Sequence, residues 1–324
     1  MSTQAPAFPA TLFLFAYNQA DTIVEAAMSC LGQVCEPIEI VFSDDASTDD
    51  TYAKLAQIAE QYKGPHTVSV RRNPKNLGIA GHYNQAVACA QSDLIIVAAG
   101  DDLSEPHRVK AILDAWRISD GMLNLIASYA TDMSKTGEPL GLIQTSHLER
   151  WPNLLNWCSK RPYVIGATFA FHKRLFTKFG PLAKDVDYED QVLSLRAASL
   201  GGGKTIQAPL IQYRQGGLSA SAQGDPQSLL TQARNKYRRQ LAVYTQITQD
   251  LHTAGQTHLA QGKIAQYIKK SVFALHMLDE PNITFSKAIP LIAQHTKSVG
   301  IFWLLKRYFY IKYPRLTSFL GRKI

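Results

Sequence analysis

Asp101 and Asp102 close the stretch D-L-I-I-V-A-A-G-D-D at positions 93–102, an unbroken apolar run that delivers two adjacent carboxylates. Like charges so close repel each other unless a cation or hydrogen-bond donors satisfy them. A solvated turn capping the next helix would use the same residues, so the weight falls on what else converges there. Tyr17 and Asn18, Asp44 and Asp45, and Asn76-Leu77-Gly78 each follow another stretch that reads as a strand. Open carboxylates suit Mg2+ or Mn2+ bridging a diphosphate, because hard cations take oxygen ligands and keep positions for water or substrate. An Asp after the second run accepts from a base N–H or a ribose hydroxyl, and the Tyr17 ring offers a surface for stacking on a base.

The runs themselves read as strands alternating with helices. Strands are expected at Thr11–Tyr17, Ile38–Ser43, Thr67–Arg71 and Leu94–Ala99, with a further one at Met122–Thr131; the Leu94–Ala99 run has no polar alternation, as in a strand covered on both faces. Ile23, Val24, Ala27, Met28 and Leu31 mark one helix face, and Tyr52, Leu55, Ile58, Ala59 and Tyr62 another. Ser47 is the expected N-cap of the second helix, with Asp50 as its capping-box partner. Four strands and three crossovers predict a doubly wound α/β sheet with parallel strands, whose ligands bind outside the strands' carboxyl ends. All four polar clusters fall at that edge.

Several ligand classes drop out. The turn after the first strand is A-Y-N-Q-A, so no dinucleotide fingerprint is present, and neither a P-loop nor a G-x-S-x-G elbow occurs. His107, His147 and His172 have no metal-ligand spacing and read as surface or packing residues. Trp151 and Trp157 suit core packing better than sugar stacking. Cys30, Cys35, Cys89 and Cys158 form no C-x-x-C pair and read as reduced, mostly buried thiols.

In order and spacing, F-A-Y-N, V-F-S-D-D-A-S-T-D-D, R-N-x-x-N-L-G and A-A-G-D-D resemble the family 2 glycosyltransferases of the GT-A fold. The resemblance runs on through G-A-T-F-A-F-H-K at 166–173, D-Y-E-D-Q-V-L-S-L-R at 187–196 and P-L-I-Q-Y-R-Q-G-G-L-S at 209–219, spanning roughly residues 10–220. It implies inverting, metal-assisted transfer of a sugar from a nucleotide donor. Carried over, Tyr17 and Asn18 lie beside the donor base. Asp44 and Asp45 contact base and ribose, with Asp45 favoured for the base and the reverse assignment open. Asn76 and Gly78 line the nucleotide pocket, and Asp102, Glu189 and Arg214 join the donor-binding set. Asp101 matches the last Asp of the family's D-x-D and ligates the metal; the first is Ala99 here. Where many relatives place a metal-binding His after a Tyr-Arg pair, this chain has Gln215 and Gly216. Asp190 matches the catalytic base, which an in-line displacement needs on the acceptor hydroxyl. As residues of a helix start, Glu189 and Asp190 also suit the macrodipole.

Charge is unevenly placed along the 324 residues, whose net charge is +8. Residues 225–324 hold 15 Lys/Arg and 4 Asp/Glu, a balance of +11, while residues 1–224 hold 19 and 22, a balance of −3. From Asp225 onward the pattern is helical. The last stretch, 297–324, has seven basic residues, seven aromatics and no acid. Lys306 and Arg307 interrupt its apolar run, so it suits an in-plane interfacial helix with Trp303 at headgroup depth, the alternative being a helix packed on the catalytic domain with a solvated basic face. No nucleic-acid-reading motif accompanies the charge. The N-terminus reads as lacking a signal peptide.

The expected protein is therefore α/β: a GT-A glycosyltransferase domain with a mostly parallel, Rossmann-like sheet at 1–224, then a helical, basic, membrane- or acceptor-associating region at 225–324. Its expected partners are a nucleotide-sugar donor (a UDP-sugar favoured), a glycan or lipid-linked acceptor in surface-polysaccharide synthesis, a Mg2+ or Mn2+ ion and a membrane surface. No nucleic acid is expected. The expected location is the cytoplasm, peripherally on the inner face of the cell membrane. A non-catalytic nucleotide-sugar-binding or scaffold protein of the same fold is the alternative; Ala99 favours it, and the intact Glu189-Asp190 pair argues against it.

Overall fold

The computed structural model describes residues 8–216, 226–280 and 283–313. They fall into two compact units, Met1–Lys184 with Glu189–Ala220, and Asp185–Tyr188 with Ser221–Ile324. The first begins β1 (Thr11–Ala16), α1 (Ile23–Leu31), β2 (Glu39–Asp44), α2 (Thr51–Gln61), β3 (Thr67–Arg72), α3 (Gly78–Cys89), β4 (Leu94–Ala99), β5 (Leu103–Ser104) and α4 (Arg108–Ile118). It continues β6 (Leu125–Met133), β7 (Pro139–Ile143), α5 (Leu154–Ser159), β8 (Ala170–His172), α6 (Arg174–Phe179), α7 (Glu189–Ser199) and β9 (Lys204–Arg214).

The sheet order is β3-β2-β1-β4-β8-β6-β9-β5, with β7 pairing the far end of β6 off that path. The first four strands are parallel, as their apolar runs predict. Beyond β4 the sheet becomes mixed. β8 runs antiparallel to both β4 and β6, and β5 antiparallel to β9. Three-residue β8 and two-residue β5 are too short to show any period in a sequence, whereas β6 falls largely within the strand expected at Met122–Thr131. Leu12, Leu14, Ile40, Phe42, Leu94 and Ile96 pack with α1 and α4 in one core. Each such side chain contributes ~1.5–3 kcal/mol on burial.

Several expected details differ. The buried face of α1 is Ile23, Ala26, Ala27, Cys30 and Leu31; Val24 and Met28 are exposed. Helix α2 starts at Thr51 with Asp50 as its N-cap, whose side chain makes no capping bond; Ser47 instead accepts the Asn18 N–H, and Asp49 Oδ1 accepts the Thr51 N–H at 3.0 Å. Only Cys30 of the four free thiols is buried. Trp157 is in the core, whereas Trp151 is half-buried and donates its indole N–H to the Lys160 carbonyl. His107 is exposed, His147 meets the Tyr129 hydroxyl, and His172 stacks on Trp116.

The second unit holds α8 (Pro226–Thr253), α9 (Lys263–Asp279), α10 (Phe285–Val299) and α11 (Ile301–Lys312) around its own core. Phe273, Met277, Ala288, Ile292, Leu304, Tyr308 and Ile311 form that core. Trp303, expected at a lipid headgroup, is instead half-buried beside Phe273. Residues 314–324 of the basic tail lie outside the described residues. No helix among the described residues is long and apolar enough to cross a membrane.

Candidate active site

Strand order reverses between β1 and β4, and that switch point gathers the polar clusters. The turn after β1 is stitched to the loop after β2. Asn18, held at a positive φ of 51°, donates its backbone N–H to Ser47 Oγ at 2.8 Å, and its own Oδ1 accepts from the Thr48 N–H at 2.8 Å. Gln19 N–H donates to Thr51 Oγ1 at 2.8 Å and Ala20 N–H to Asp49 Oδ2 at 3.0 Å. The S-T-D-D segment that looked like a helix cap is thus a buckle for the 17–20 turn. The Tyr17 ring stands outside it, 44% exposed.

The two carboxylates after β2 face inward. Asp44 is fully buried; its Oδ2 accepts from Ser47 N–H at 3.0 Å and pairs with Arg72 Nε at 3.1 Å. Its Oδ1 has no hydrogen-bond partner among the described residues. Asp45 accepts from Asn73 Nδ2 at 2.7 Å and from the backbone N–H groups of Leu77 and Gly78, each at 2.9 Å. Gly78 has φ +69°, which a side chain would strain, and Asn76 Oδ1 also accepts from its N–H. Asn76 is exposed at the rim. Asp45 therefore shapes the 76–78 loop while sitting under it.

At the end of β4, Gly100 allows close approach: a Cβ there would overlap the Gln19 amide oxygen and come within 2.9 Å of Ile23 Cδ1. Asp101 follows, half-buried, its carboxyl raised chiefly by burial and eased by Arg214 and the Gln19 side chain. Asp102 is pushed up to about 8, first by burial and then by the Asp101 charge. Its Oδ1 accepts from the Arg214 backbone N–H at 2.8 Å, while the buried Oδ2 has no partner among the described residues. Two proton-hungry carboxylates with one orphaned oxygen suit a hard cation. Among the described residues no cluster of three or more His, Cys, Asp or Glu could hold a metal. An ion at this pair of carboxylates would need its remaining ligands from diphosphate oxygens and water. Arg214 is spent on the protein: Nε donates to the Asp101 carbonyl at 2.9 Å, Nη1 to the Lys135 carbonyl at 3.0 Å, and Nη2 pairs with Glu25. Gln215, at the position of the family's His, donates to Asp132 Oδ2 at 2.8 Å.

Glu189 and Asp190 open α7. Gln191 N–H donates to Asp190 Oδ1 at 2.6 Å, and burial lifts this carboxyl to about 6 against the opposing effect of Arg161. Glu189 is held by Tyr83, whose hydroxyl donates to Oε1 at 3.3 Å. Gly166 leaves room for that carboxylate, since a Cβ there would overlap Oε1. Tyr83 and the buried Arg108 are residues that reading the sequence missed. Arg108 donates to the Val97 and Ala167 carbonyls, and its charge is felt by both Asp102 and Tyr83. The available signals were a lone aromatic inside the small-residue helix G-I-A-G-H-Y-N and a cation soon after Asp101 and Asp102.

With this geometry in place, similarity to known proteins can be read. The succinoglycan biosynthesis protein ExoO of Rhizobium meliloti is 25% identical over 246 residues, covering 72% of this chain and 69% of its own. Staphylococcus aureus TarS residues 1–349, solved with UDP-GlcNAc, superposes with a TM-score of 0.54 at 15% identity, over 95% of this chain and 92% of that one. The mannosyltransferase PcManGT of Pyrobaculum calidifontis, solved with GDP-Man and Mn2+, superposes with a TM-score of 0.50 at 15% identity, over 96% and 89%. At that identity the likeness is one of fold, and it is the GT-A fold with a helical C-terminal region. The model of glycosyl transferase family 2 matches residues 11–180, just over half of the 324. The chain belongs to glycosyl transferase family 2 and is a glycosyltransferase.

Proposed function

We propose that the enzyme moves a sugar, with inversion at its anomeric carbon, from a nucleotide-sugar donor to a hydroxyl of a glycan or lipid-linked acceptor during polysaccharide synthesis. Asp190 carries this reading: a carboxylate at a helix start, lifted to about 6, is ionised at neutral pH yet basic enough to take a hydroxyl proton. As the acceptor oxygen attacks the anomeric carbon, its proton passes to Asp190 and the bond to the nucleoside diphosphate breaks on the opposite face. A Mg2+ or Mn2+ ion at Asp101 would supply charge relief on the departing diphosphate. Tyr17 stacks on the base beside Asn18. Asp44 and Asp45 underlie base and ribose, Asn76 and Gly78 border them, and Asp102, Glu189 and Arg214 hold the floor. The TarS complex with UDP-GlcNAc and the PcManGT complex with GDP-Man support a nucleotide-sugar donor, the Mn2+ of the latter supports the cation, and ExoO supports polysaccharide assembly. The basic C-terminal region attaches the enzyme to the cytoplasmic face of the membrane.

The test is a screen of UDP- and GDP-sugars, each with and without Mn2+, for donor hydrolysis and acceptor-dependent transfer. One donor should be turned over by the wild type and hardly at all by Asp190→Asn. Failure to bind or turn over any donor would overturn the reading.

A further inference from the structure

The second unit exposes a surface that its own core does not use. Along α11, Leu304, Tyr308 and Ile311 recur at i, i+4 and i+7 and are buried in the helical core. On the opposite stripe, Phe302, Lys306, Phe309 and Tyr313 recur at i, i+4, i+7 and i+11, one face of a 3.6-residue period. Phe302 is 87% exposed, Phe309 48% and Tyr313 46%. Phe285, at the start of α10, stacks 6.1 Å from Phe309 and is itself exposed, as is Ile289 one turn further on. An exposed patch of large apolar side chains on a helix hairpin marks a contact surface.

Charge says what kind of surface it meets. Residues 281–324 contain eight Lys or Arg and no Asp or Glu. Lys306 lies within the aromatic stripe, and Lys287 and Lys297 are exposed on α10. Arg307 does not take part, because its guanidinium lies over the rings of Tyr237, Trp303 and Tyr310 at 5.2, 5.2 and 5.6 Å. Exposed aromatic rings flanking Lys306, in a segment that carries no acid of its own, complement the headgroup region of an anionic bilayer.

We infer that Phe302, Lys306, Phe309 and Tyr313, with Phe285 and Ile289, form an in-plane docking face for an anionic lipid surface. Phe302 and Phe309 enter the acyl boundary while Lys306 meets lipid phosphates. Trp303, turned into the helical core, is not the anchor. This inference rests on the membrane attachment proposed above and names the side chains that make it. Deleting the tail is a poor test, because it would strip Leu304, Tyr308 and Ile311 from the core.

The experiment uses the full chain and co-sedimentation with phosphatidylcholine vesicles, with and without phosphatidylglycerol. Wild type should pellet with the anionic vesicles, and less as salt is raised. Phe302→Ser with Phe309→Ser should cut partitioning about tenfold or more. Lys306→Glu should weaken binding and flatten its salt dependence. Ile118→Ser, removing an apolar side chain 78% exposed in the other unit, should leave binding unchanged. Circular dichroism checks that the variants fold. If wild type pellets and the double variant pellets equally, the attachment stands and this face is wrong. If wild type does not pellet at low salt, both fail. A dimer abolished by Phe302→Ser, seen by analytical ultracentrifugation, would overturn the lipid assignment in favour of a second copy. None of these readouts involves turnover, so the glycosyl-transfer proposal is judged separately.

Discussion

The Tyr83 hydroxyl donates to Glu189 Oε1 at 3.3 Å, tying the middle of α3 to the first residue of α7. The Tyr83 ring is itself fixed, stacked on Phe15 with centroids 4.7 Å apart and on Phe171 at 5.9 Å. The neighbour of the proposed base is thereby anchored to the sheet. Tyr83→Phe keeps the ring and removes the donor, so kcat should fall about tenfold while donor affinity holds, the pattern of a lost transition-state interaction. Steady-state kinetics beside calorimetry with the donor would decide it, and an unchanged kcat would remove Tyr83 from the positioning of α7.

Asp190→Asn should lower kcat by ~10²–10⁴ with nearly unchanged donor affinity. A variant keeping more than about a tenth of wild-type kcat would exclude Asp190 as the base. The wild-type rate should rise through pH 6, where the carboxyl ionises, and level off above it.

Stability should move the other way. The folded-state value of Asp190 lies above its ordinary 3.8, so ionising it costs the folded state. That cost is absent below about pH 4, grows between pH 4 and 6 and is full above pH 6. Asp190→Asn should therefore be more stable than wild type at pH 8, by on the order of 1–3 kcal/mol, with the gap closing below pH 4. Urea unfolding at both pH values checks the sign.

Asp101→Asn should abolish the Mn2+-dependent part of donor binding without unfolding the protein, since its carboxylate is one of two crowded acids whose ionised forms burial penalises. Calorimetry of donor binding with and without Mn2+ measures it. Equal affinities for the variant and wild type would rule out Asp101 as the ligand.

Trp157 is 1% exposed, and its indole N–H donates to Ser194 Oγ on α7 at 3.0 Å. Trp157→Ala should cost ~3–5 kcal/mol through the cavity it leaves. Because the cavity lies against the helix that carries Asp190, kcat should fall with stability. Thermal unfolding that matched wild type would contradict the packing.

What the sequence made legible follows from period and length. Strands β1 to β4 are six-residue runs, and three of them, β1, β2 and β4, are buried along nearly their whole length, so their apolar character is continuous and their ends carry the polar clusters. Beyond β4, β6 was legible as a strand at Met122–Thr131, whereas β5 and β8 were hidden because they are too short to carry a period. Ser47 was misread because a hydroxyl before a helix looks the same whether it caps that helix or, as here, receives the Asn18 N–H from another loop. Tyr83 and Arg108 act across more than fifty residues, on Glu189 and Ala167, and no local pattern encodes such a pairing.

Arg214 sits at the end of the last strand, yet it fastens Glu25, the Asp101 carbonyl, Asp102 and the Lys135 carbonyl together. The consequence is one of timing during synthesis. Strands β1 to β4 can be made and paired early, but the carboxylates after β4 lack their closing clamp until residue 214 has joined the sheet. Contacts of such long sequence separation form late, because the intervening loop must be closed before they are rewarded. A nascent chain that stops short of β9 would hold the polar edge in outline and leave the turn bearing Asp101 and Asp102 unfastened.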